Sequence, residues 1–311
     1  MKGSDQTVAS GSDQKVGLLL VFLSALFWSF GGMIARFVSV GDGWTVVFWR
    51  SLFAALFILG FMLWRDGRAG TLRLFRDMGL PGLFVAVCFT ISVTCFVLAL
   101  SYTTVANVML MQAGTPLIAA LLAWLVFRER ISPATWCAIA AVIFGVGIMV
   151  SDSLSGTVSP VGDGLALLIA VSFAIATVTT RRFQHVRMTP ATCLGAAIAA
   201  ALAATQSSGL SVDGGNLALL VAFGALNLGL GLALFASGAR LVPAAYAALI
   251  GTFEPVMGPV WVWLVHGEVP SSRTIVGGCI IFLALIAHLL LELRRGMRPQ
   301  KPGTTGVQQP L

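Results

Sequence analysis

The chain has 311 residues, of which 58% are hydrophobic and 10% are charged, with a formal net charge of +7. So few charged side chains cannot cover the surface of a soluble globule of this size, so the composition excludes a water-soluble protein and predicts an integral membrane protein. We assign the excess of positive charge to contact with anionic lipid head groups and expect no nucleic-acid partner.

Ten apolar runs are long enough to cross a bilayer as helices, which takes about 20 residues each. They cover residues 16–38, 44–64, 79–100, 103–127, 133–150, 162–180, 190–208, 216–238, 243–265 and 272–293. The runs are apolar throughout and do not alternate as the strands of a barrel would. The predicted fold class is therefore all-α, with ten transmembrane helices.

The N-terminal segment and the cysteines carry no sign of secretion, disulfides or metal binding. Residues 1–15 hold two acids and two lysines and no short apolar stretch before a cleavage site, so we expect the first span to stay in the protein. The five cysteines lie within apolar runs without metal-ligand spacing and are expected to behave as small hydrophobes. No cofactor or metal is expected.

One block of sequence occurs twice, always 139 positions apart (for instance 116 and 255). Six identities share this register, namely Phe96 with Phe235, Ala106 with Ala245, Pro116 with Pro255, Trp124 with Trp263, Glu129 with Glu268 and Ser132 with Ser271. We interpret this as an internal duplication. The first repeat covers 16–150 and the second 162–293, with tails at 1–15 and 294–311.

The basic residues predict the orientation of these repeats. With the N-terminus in the cytoplasm, 16 of the 19 lysines and arginines fall on the inner side, so both termini are predicted to be cytoplasmic. Five spans per repeat is an odd number, so the second repeat must be inverted, with Glu129 facing the cytoplasm and Glu268 the outside. Inverted repeats are typical of secondary transporters that work by alternating access.

Two charged residues lie well inside apolar runs, away from their ends. Arg50 lies six residues into the second run, about 9 Å below its outer boundary. Glu254 is the one acid deep inside any run, so it should be paired, protonated or beside a water-filled cavity. Arg50 either snorkels or binds substrate, and Glu254 is its natural candidate partner. Arg36, near the end of the first span, is expected to snorkel to the interface.

Prolines at matching places interrupt both repeats. Pro116 frees the carbonyl of Gln112 and Pro255 frees that of Gly251, at membrane depth. Breaks at corresponding positions favour a midplane binding site with hinges at Pro116, Pro255 and Gly251, although a plain structural kink is the alternative.

The remaining candidate site residues are polar or aromatic. Trp28, Tyr102 and Phe253 offer aromatic surface. Asn107 and Gln112 are 140° apart on a helix, so at most one need face a cavity. Asn227 lies in a glycine-rich span, where packing is favoured over substrate contact. The link Ser101–Thr103 is so short that the third and fourth spans are expected to form a tight antiparallel hairpin.

The repeated block resembles a known family. Phe96, Ala99, Leu100, Tyr102, Ala106, Pro116, Glu129 and Ser132, echoed by Phe235, Ala239, Ala245, Pro255, Glu268 and Ser271, resemble the EamA domain pair of the drug/metabolite transporter superfamily over about residues 16–293. The likeness extends to its bacterial ten-helix exporters, including the YddG-type aromatic amino acid branch. It implies a helical basket around a central cavity, in the bacterial inner membrane, that exports amino acids or similar metabolites. The family pattern leaves the role of Glu254 open.

Other classes of function fit less well. None of the three lysines follows glycine, so there is no phosphate loop for ATP hydrolysis. No catalytic or zinc motif is present, so we expect no enzyme. A transporter of drugs, other metabolites or lipid-like substrates and a membrane scaffold remain alternatives. Coupling to protons through Glu254 or His288, or uniport, is left open.

Overall fold

The structure is a computed structural model that describes residues 11–128, 131–154 and 159–296, and every regular element in those ranges is helical. The helices are α1 (Gly11–Ser29), α2 (Gly31–Phe37), α3 (Gly43–Asp77), α4 (Gly79–Ala99), α5 (Val105–Ala113), α6 (Thr115–Phe127), α7 (Pro133–Leu154), α8 (Pro160–Arg182), α9 (Thr189–Gln206), α10 (Gly214–Val221), a π-helical segment (Ala222–Leu230), α11 (Gly231–Gly238), α12 (Ala244–Gly251), α13 (Phe253–His266) and α14 (Ser272–Gly296). Most of the predicted tails, 1–15 and 294–311, lies outside the described residues.

These helices form ten rods, because α1–α2, α5–α6 and α12–α13 each make one broken rod, and α10, the π-helical segment and α11 follow one another without a gap. The α3 rod is kinked at Gly67. In the described ranges, eight helices are long and apolar enough to span a membrane, or nine with the α5–α6 pair. The remaining rod is α9, an alanine-rich helix of 18 residues that packs against α3 and α4. The prediction of an all-α, ten-helix membrane protein is confirmed.

The two halves are arranged as inverted counterparts. The second rods of both halves pack together (α3 with α9), as do the fifth rods (α7 with α14) and the fourth rods (α5 with α13). The contact of α4 with α8 is matched by that of α1 with α11. The backbone N–H of Val105, at the start of α5, donates to Glu268, just beyond α13. The two fourth rods are therefore antiparallel, as inversion requires.

Serines of the duplicated block cap the same helix in both halves. Ser132 accepts a hydrogen bond from the N–H of Thr135 and its hydroxyl lies 2.9 Å from that of Thr135, before α7. Ser271 and Thr274 repeat this arrangement before α14. A hydroxyl that accepts from the third N–H of a helix is a standard N-cap. The repeated serines therefore start the fifth rod of each half.

The fourth rods also end alike. Arg128 after α6 and Gly267 after α13 both adopt a left-handed conformation, with φ of 57° and 67°. This geometry turns the chain out of a helix and favours glycine, which has no side chain to clash. Glu129, which follows Arg128 and is predicted to face the cytoplasm, lies outside the described residues.

The expected hairpin of the third and fourth spans is wrong. The α5 helix packs mainly on α8, α13 and α14, while α4 packs on α8 and α9. The N–H groups of Tyr102 and Thr103 both donate to the carbonyl of Ala99, which turns the chain sharply at the end of α4. Thr104 then adopts an extended conformation and caps α5 through Asn107 N–H. A short link thus changes the helix direction instead of returning it alongside α4.

Close packing between the halves depends on small residues. A Cβ added to Gly145 would lie 2.7 Å from the carbonyl oxygen of Gly277, and one added to Gly277 would lie 2.5 Å from that of Gly145. Because real side chains do not approach backbone so closely, α7 and α14 can cross only where both positions are glycine. This contact joins the fifth rods of the two halves.

Candidate functional site

The Arg50 side chain is enclosed by protein but has few hydrogen-bond partners. Arg50 is 5% exposed and lies two turns into α3. Its Nη1 donates to the carbonyl of Val93 over 3.5 Å, at the limit of a hydrogen bond, and its Nε has no partner among the described residues. Its guanidinium carbon lies 4.3 Å from the ring centre of Phe223 and 5.1 Å from that of Phe96. The charge is thus held by aromatic rings, and its donors are largely unused.

Glu254 is the acid whose charge reaches Arg50. The two groups interact electrostatically, but they are not among the pairs that lie within 4.0 Å of each other in the described ranges. Glu254, in the first turn of α13, is half-buried. Arg50 and Glu254 thus interact electrostatically without forming an ion pair in the described structure.

Asn227 serves the break between α1 and α2. Its side-chain amide donates to the carbonyls of Phe27 over 2.6 Å and Trp28 over 3.2 Å. Both carbonyls lie at the end of α1, where the first rod is interrupted at Phe30, and that of Phe27 also accepts from Phe30 N–H over 3.3 Å. An unpaired carbonyl in hydrocarbon costs roughly several kcal/mol. The amide of Asn227 lowers this cost by donating to the carbonyls at the break. In this structure its amide is committed to α1.

The π-helical segment carries both Asn227 and Phe223. Gly224, between them, lies so close to α3 that an added Cβ would be 2.3 Å from the carbonyl oxygen of Arg50. Wider π turns often occur at functional sites because they redirect side chains within a helix. The segment therefore brings one ring to the Arg50 guanidinium and one amide to the break in the first rod.

The two proline breaks differ in size. At Pro116, α5 and α6 are bent by 41°, whereas α12 and α13 pass as one span across Thr252. At each break, the N–H of the residue that follows the first helix donates to a carbonyl three residues earlier. The pairs are Gly114 with Met111 and Thr252 with Leu249. Pro255 lies in the first turn of α13, one residue after Glu254. Gly251 ends α12, in the place where the second hinge is predicted.

Three of the predicted site residues lie away from Arg50. Tyr102 is 50% exposed, in the link before α5. Asn107 is 2% exposed, and its amide donates to Thr103 and to Asp163 on α8. Gln112 is half-buried and donates to Val108, one turn earlier on its own helix. Asn107 thus joins α5 to α8 near the end of the bundle that carries Glu268.

The predicted aromatic residues Trp28 and Phe253 face different neighbours. The Trp28 ring lies 5.5 Å from that of Phe235 on α11, and its Nε1 has no partner among the described residues. The ring of Phe253 lies 5.2 Å from that of Phe22. An open crevice of about 400 Å³ is lined mainly by apolar side chains. Its lining comprises Phe22, Leu249, Ile250, Thr252, Phe253, Val256, Met257 and Phe282.

Arg36 lies at the end of the bundle, where its side chain is 29% exposed and also bonded to protein groups. Its Nε lies 2.7 Å from Glu268 Oε2, and its two terminal nitrogens donate to the carbonyls of Leu100 and Thr103 over 2.8 and 3.0 Å. Glu268 also accepts from Val105 N–H over 2.7 Å. Arg36 thus joins distant parts of the chain, a role that the sequence did not predict, and its snorkelling to the interface stays a prediction.

Sequence reasoning missed the two rings that contact Arg50. Phe96 stands out in the sequence only as part of the duplicated block, and Phe223 is one of the 20 phenylalanines of the chain. An arginine in an apolar run was the one available signal, since such a charge needs a partner and aromatic faces can provide it. Their identity depends on which helices become neighbours.

The fold and this site define a class of protein. Inverted five-helix halves, broken rods and charged groups within apolar helices are features of membrane transporters. The family model described as the EamA-like transporter family matches residues 15–151 and 160–290. The chain therefore belongs to the EamA-like transporter family, in the drug/metabolite transporter superfamily, and is a multi-pass membrane transporter of small solutes.

Solved structures share the fold. Fifteen chains match. One of them, titled only as the crystal structure of a protein, has 18% sequence identity and a TM-score of 0.63, and the match covers 90% of this chain and 99% of the other. At that identity the likeness shows the fold alone. No curated protein matches the chain.

Proposed function

We propose that this transporter exports neutral amino acids, aromatic ones included, or closely similar small metabolites, across a bacterial inner membrane with both termini in the cytoplasm. The observation that carries the proposal is Arg50, an enclosed arginine that uses almost none of its donors in the described structure and that interacts electrostatically with Glu254. An intramembrane arginine costs about 2.5–3.5 kcal/mol on insertion scales, so its retention without an ion-pair partner favours a role in binding.

A zwitterion fits the charges of this pair. The planar guanidinium can donate two parallel hydrogen bonds to a carboxylate, which makes Arg50 the group for the acidic end of an amino acid. Glu254 then takes the ammonium group or a proton. Because the two residues do not lie within ion-pair distance, a ligand that joins them would not first have to break a bond between them. Trp28 and Phe253, on neighbouring helices, offer aromatic surface for the side chain.

Alternating access follows from the inverted halves. Arg36 and Glu268 tie α2, α13 and the α4–α5 link at one end of the bundle, whereas Asp66 and Arg187 join α3 to the α8–α9 link by two hydrogen bonds at the other. Movement of one half against the other, with bending at Pro116, Pro255 and Gly251, would open either end in turn.

Flux in proteoliposomes tests this proposal. The experiment measures uptake from a panel of neutral L-amino acids by wild type, Arg50→Ala and Glu254→Gln, with Arg73→Ala as the control because Arg73 is exposed on α3. We expect saturable flux in the wild type and in the control, and a strongly reduced flux in Arg50→Ala and Glu254→Gln. Wild-type rates in both site variants would reject the assignment.

A pH gradient separates uniport from proton coupling in the same vesicles. A gradient that changes wild-type flux but not the residual flux of Glu254→Gln assigns the coupling to Glu254. A wild-type flux that is the same with and without the pH gradient indicates uniport.

The apolar crevice beside Phe253 favours a second candidate, transport of drug-like or lipid-like molecules that enter from the bilayer. Saturable flux of a fluorescent amphipath without amino acid flux would select that function. A scaffold without transport predicts neither flux.

A further inference from the structure

Two aromatic rings, one from each half of the protein, hold the Arg50 guanidinium. Phe96 belongs to α4 of the first half and Phe223 to the π-helical segment of the second. Phe223 is 0% exposed and is the nearer ring, at 4.3 Å from Cζ compared with 5.1 Å for Phe96. A cation over the face of an aromatic ring is attracted to its negative π surface, and the attraction is largest where water is absent.

These contacts constrain the orientation of the group. The five N–H donors of a guanidinium all lie in its plane, so a ring stacked on one of its faces leaves them available. In this structure the Val93 carbonyl takes one donor at 3.5 Å, and Nε has no partner in the part of the chain that the structure describes. The guanidinium therefore has two aromatic rings near its charge and most of its donors unused.

The Phe223 ring is itself held in place by its segment. Gly224 lies against the backbone of Arg50, and Asn227, one turn later, is bonded to Phe27 and Trp28. The segment is thus tied to α3 and to α1 on either side of the ring. A fully buried phenylalanine with neighbours so constrained has little freedom to turn away.

We propose that Phe223, assisted by Phe96, is a positioning residue that fixes the Arg50 guanidinium with its donors free for a substrate carboxylate. The inference rests on the proposed function of Arg50 and goes beyond it, because it assigns a selective role to the π-helical segment. Phe223 does not touch the carboxylate in this role; it acts through Arg50.

Substitution of the ring tests this role. Phe223→Leu keeps apolar bulk but removes the π face, whereas Phe223→Trp keeps a π face. For L-phenylalanine flux in proteoliposomes, we expect Phe223→Leu to raise the half-saturating concentration about tenfold with little change in maximal rate, and Phe223→Trp to retain more affinity. Phe89→Leu is the matched control, because Phe89 is a buried ring on α4 that packs on Phe173.

Two further measurements separate positioning from packing. In an Arg50→Ala background, Phe223→Leu should add no further loss, since interacting residues give non-additive effects. Phenethylamine has the ring and the ammonium group but no carboxylate. Its inhibition constant against L-phenylalanine flux should therefore be the same in wild type and Phe223→Leu.

The outcomes distinguish this inference from the proposed function. Arg50→Ala with wild-type kinetics, or no saturable L-phenylalanine flux in the wild type, overturns both. Two other outcomes overturn the positioning role alone, provided that Arg50→Ala reduces flux. In the first, Phe223→Leu changes the kinetics no more than Phe89→Leu does. In the second, Phe223→Leu lowers flux as much in the Arg50→Ala background as it does in the wild type.

Discussion

Arg36 and Arg50 lie 14 residues apart in the same half of the protein, both inside apolar runs, yet their surroundings are opposite. Arg36 has hydrogen bonds of 2.7–3.0 Å to a carboxylate and two carbonyls and keeps 29% of its side chain exposed. Arg50 is 5% exposed and has one hydrogen bond, of 3.5 Å, in the described structure. Two arginines in apolar runs thus have different roles: Arg36 joins helices, and Arg50 is available to bind a ligand.

The difference shows how to separate stability from function in this fold. Removing a charge with good partners leaves those partners unpaired, which destabilises a protein. Removing a buried charge that lacks partners relieves a desolvation cost instead. The two arginines should therefore respond to the same substitution in opposite ways, and the predictions below run from the largest expected effect to the smallest.

Arg50→Met should strongly reduce transport without unfolding the protein. Loss of a buried charged hydrogen-bonding partner costs about 2–5 kcal/mol in binding, so we expect amino acid flux at low substrate concentration to fall about 100-fold. The melting temperature in detergent should stay equal or rise. A fall in melting temperature that accounts for the lost flux would assign Arg50 to structure and remove the contrast with Arg36.

Arg36→Met should lower the stability of the protein, unlike Arg50→Met. The Glu268 carboxylate and two carbonyls lose their donor, and after allowance for partial exposure the expected cost is about 2 kcal/mol. Thermal unfolding in detergent measures this change, with Arg73→Met as the exposed control on α3. An unchanged melting temperature would show that the ion pair contributes nothing and that Arg36 is not a joining residue.

Asn227→Ala should destabilise the junction of the first rod with the π-helical segment. The carbonyls of Phe27 and Trp28 would lose the hydrogen bonds from the Asn227 amide, although that of Phe27 keeps its bond from Phe30 N–H. The expected cost is about 1.5 kcal/mol. Hydrogen exchange over residues 24–32 should rise, while Gln206→Ala, at an exposed helix end, should leave it unchanged. Unaltered exchange in Asn227→Ala would mean that other groups satisfy the break.

Asp42→Asn should have the smallest effect and the clearest dependence on pH. Burial works to raise the pKa of Asp42, but hydrogen bonds from Ser208 and Trp44 N–H and the Thr45 hydroxyl outweigh it and lower the pKa. The ionised form is therefore stabilised by folding. This contribution is present above the ordinary pKa of about 3.9 and is lost as pH falls through the lower folded value.

Melting curves of wild type and Asp42→Asn at pH 7 and pH 3 measure this dependence. At pH 7 the variant should be less stable by about 1 kcal/mol or less, the usual range for an N-cap. At pH 3 the difference should be smaller. A difference that does not change with pH would show that the charge of Asp42 is not what stabilises the start of α3.

The sequence by itself determined the class, the helix count, the duplication and the inverted arrangement. Spans of apolar residues report the thickness of the bilayer, and an odd number of spans per repeat leaves the second half no choice but to be inverted. Arg50 and Glu254 also stood out in the sequence, because charge inside hydrocarbon is costly wherever the helices go.

Only the tertiary structure decided which side chains meet. Arg36 joins Glu268, 232 positions away, Asn227 reaches carbonyls about 200 positions away, and Phe223 covers Arg50 from the other half. Such contacts depend on which helix faces are turned toward each other, and in nearly uniform apolar runs no periodicity distinguishes one face from another. The expected hairpin after α4 was wrong for the same kind of reason, because a few backbone hydrogen bonds in the link set the direction of α5.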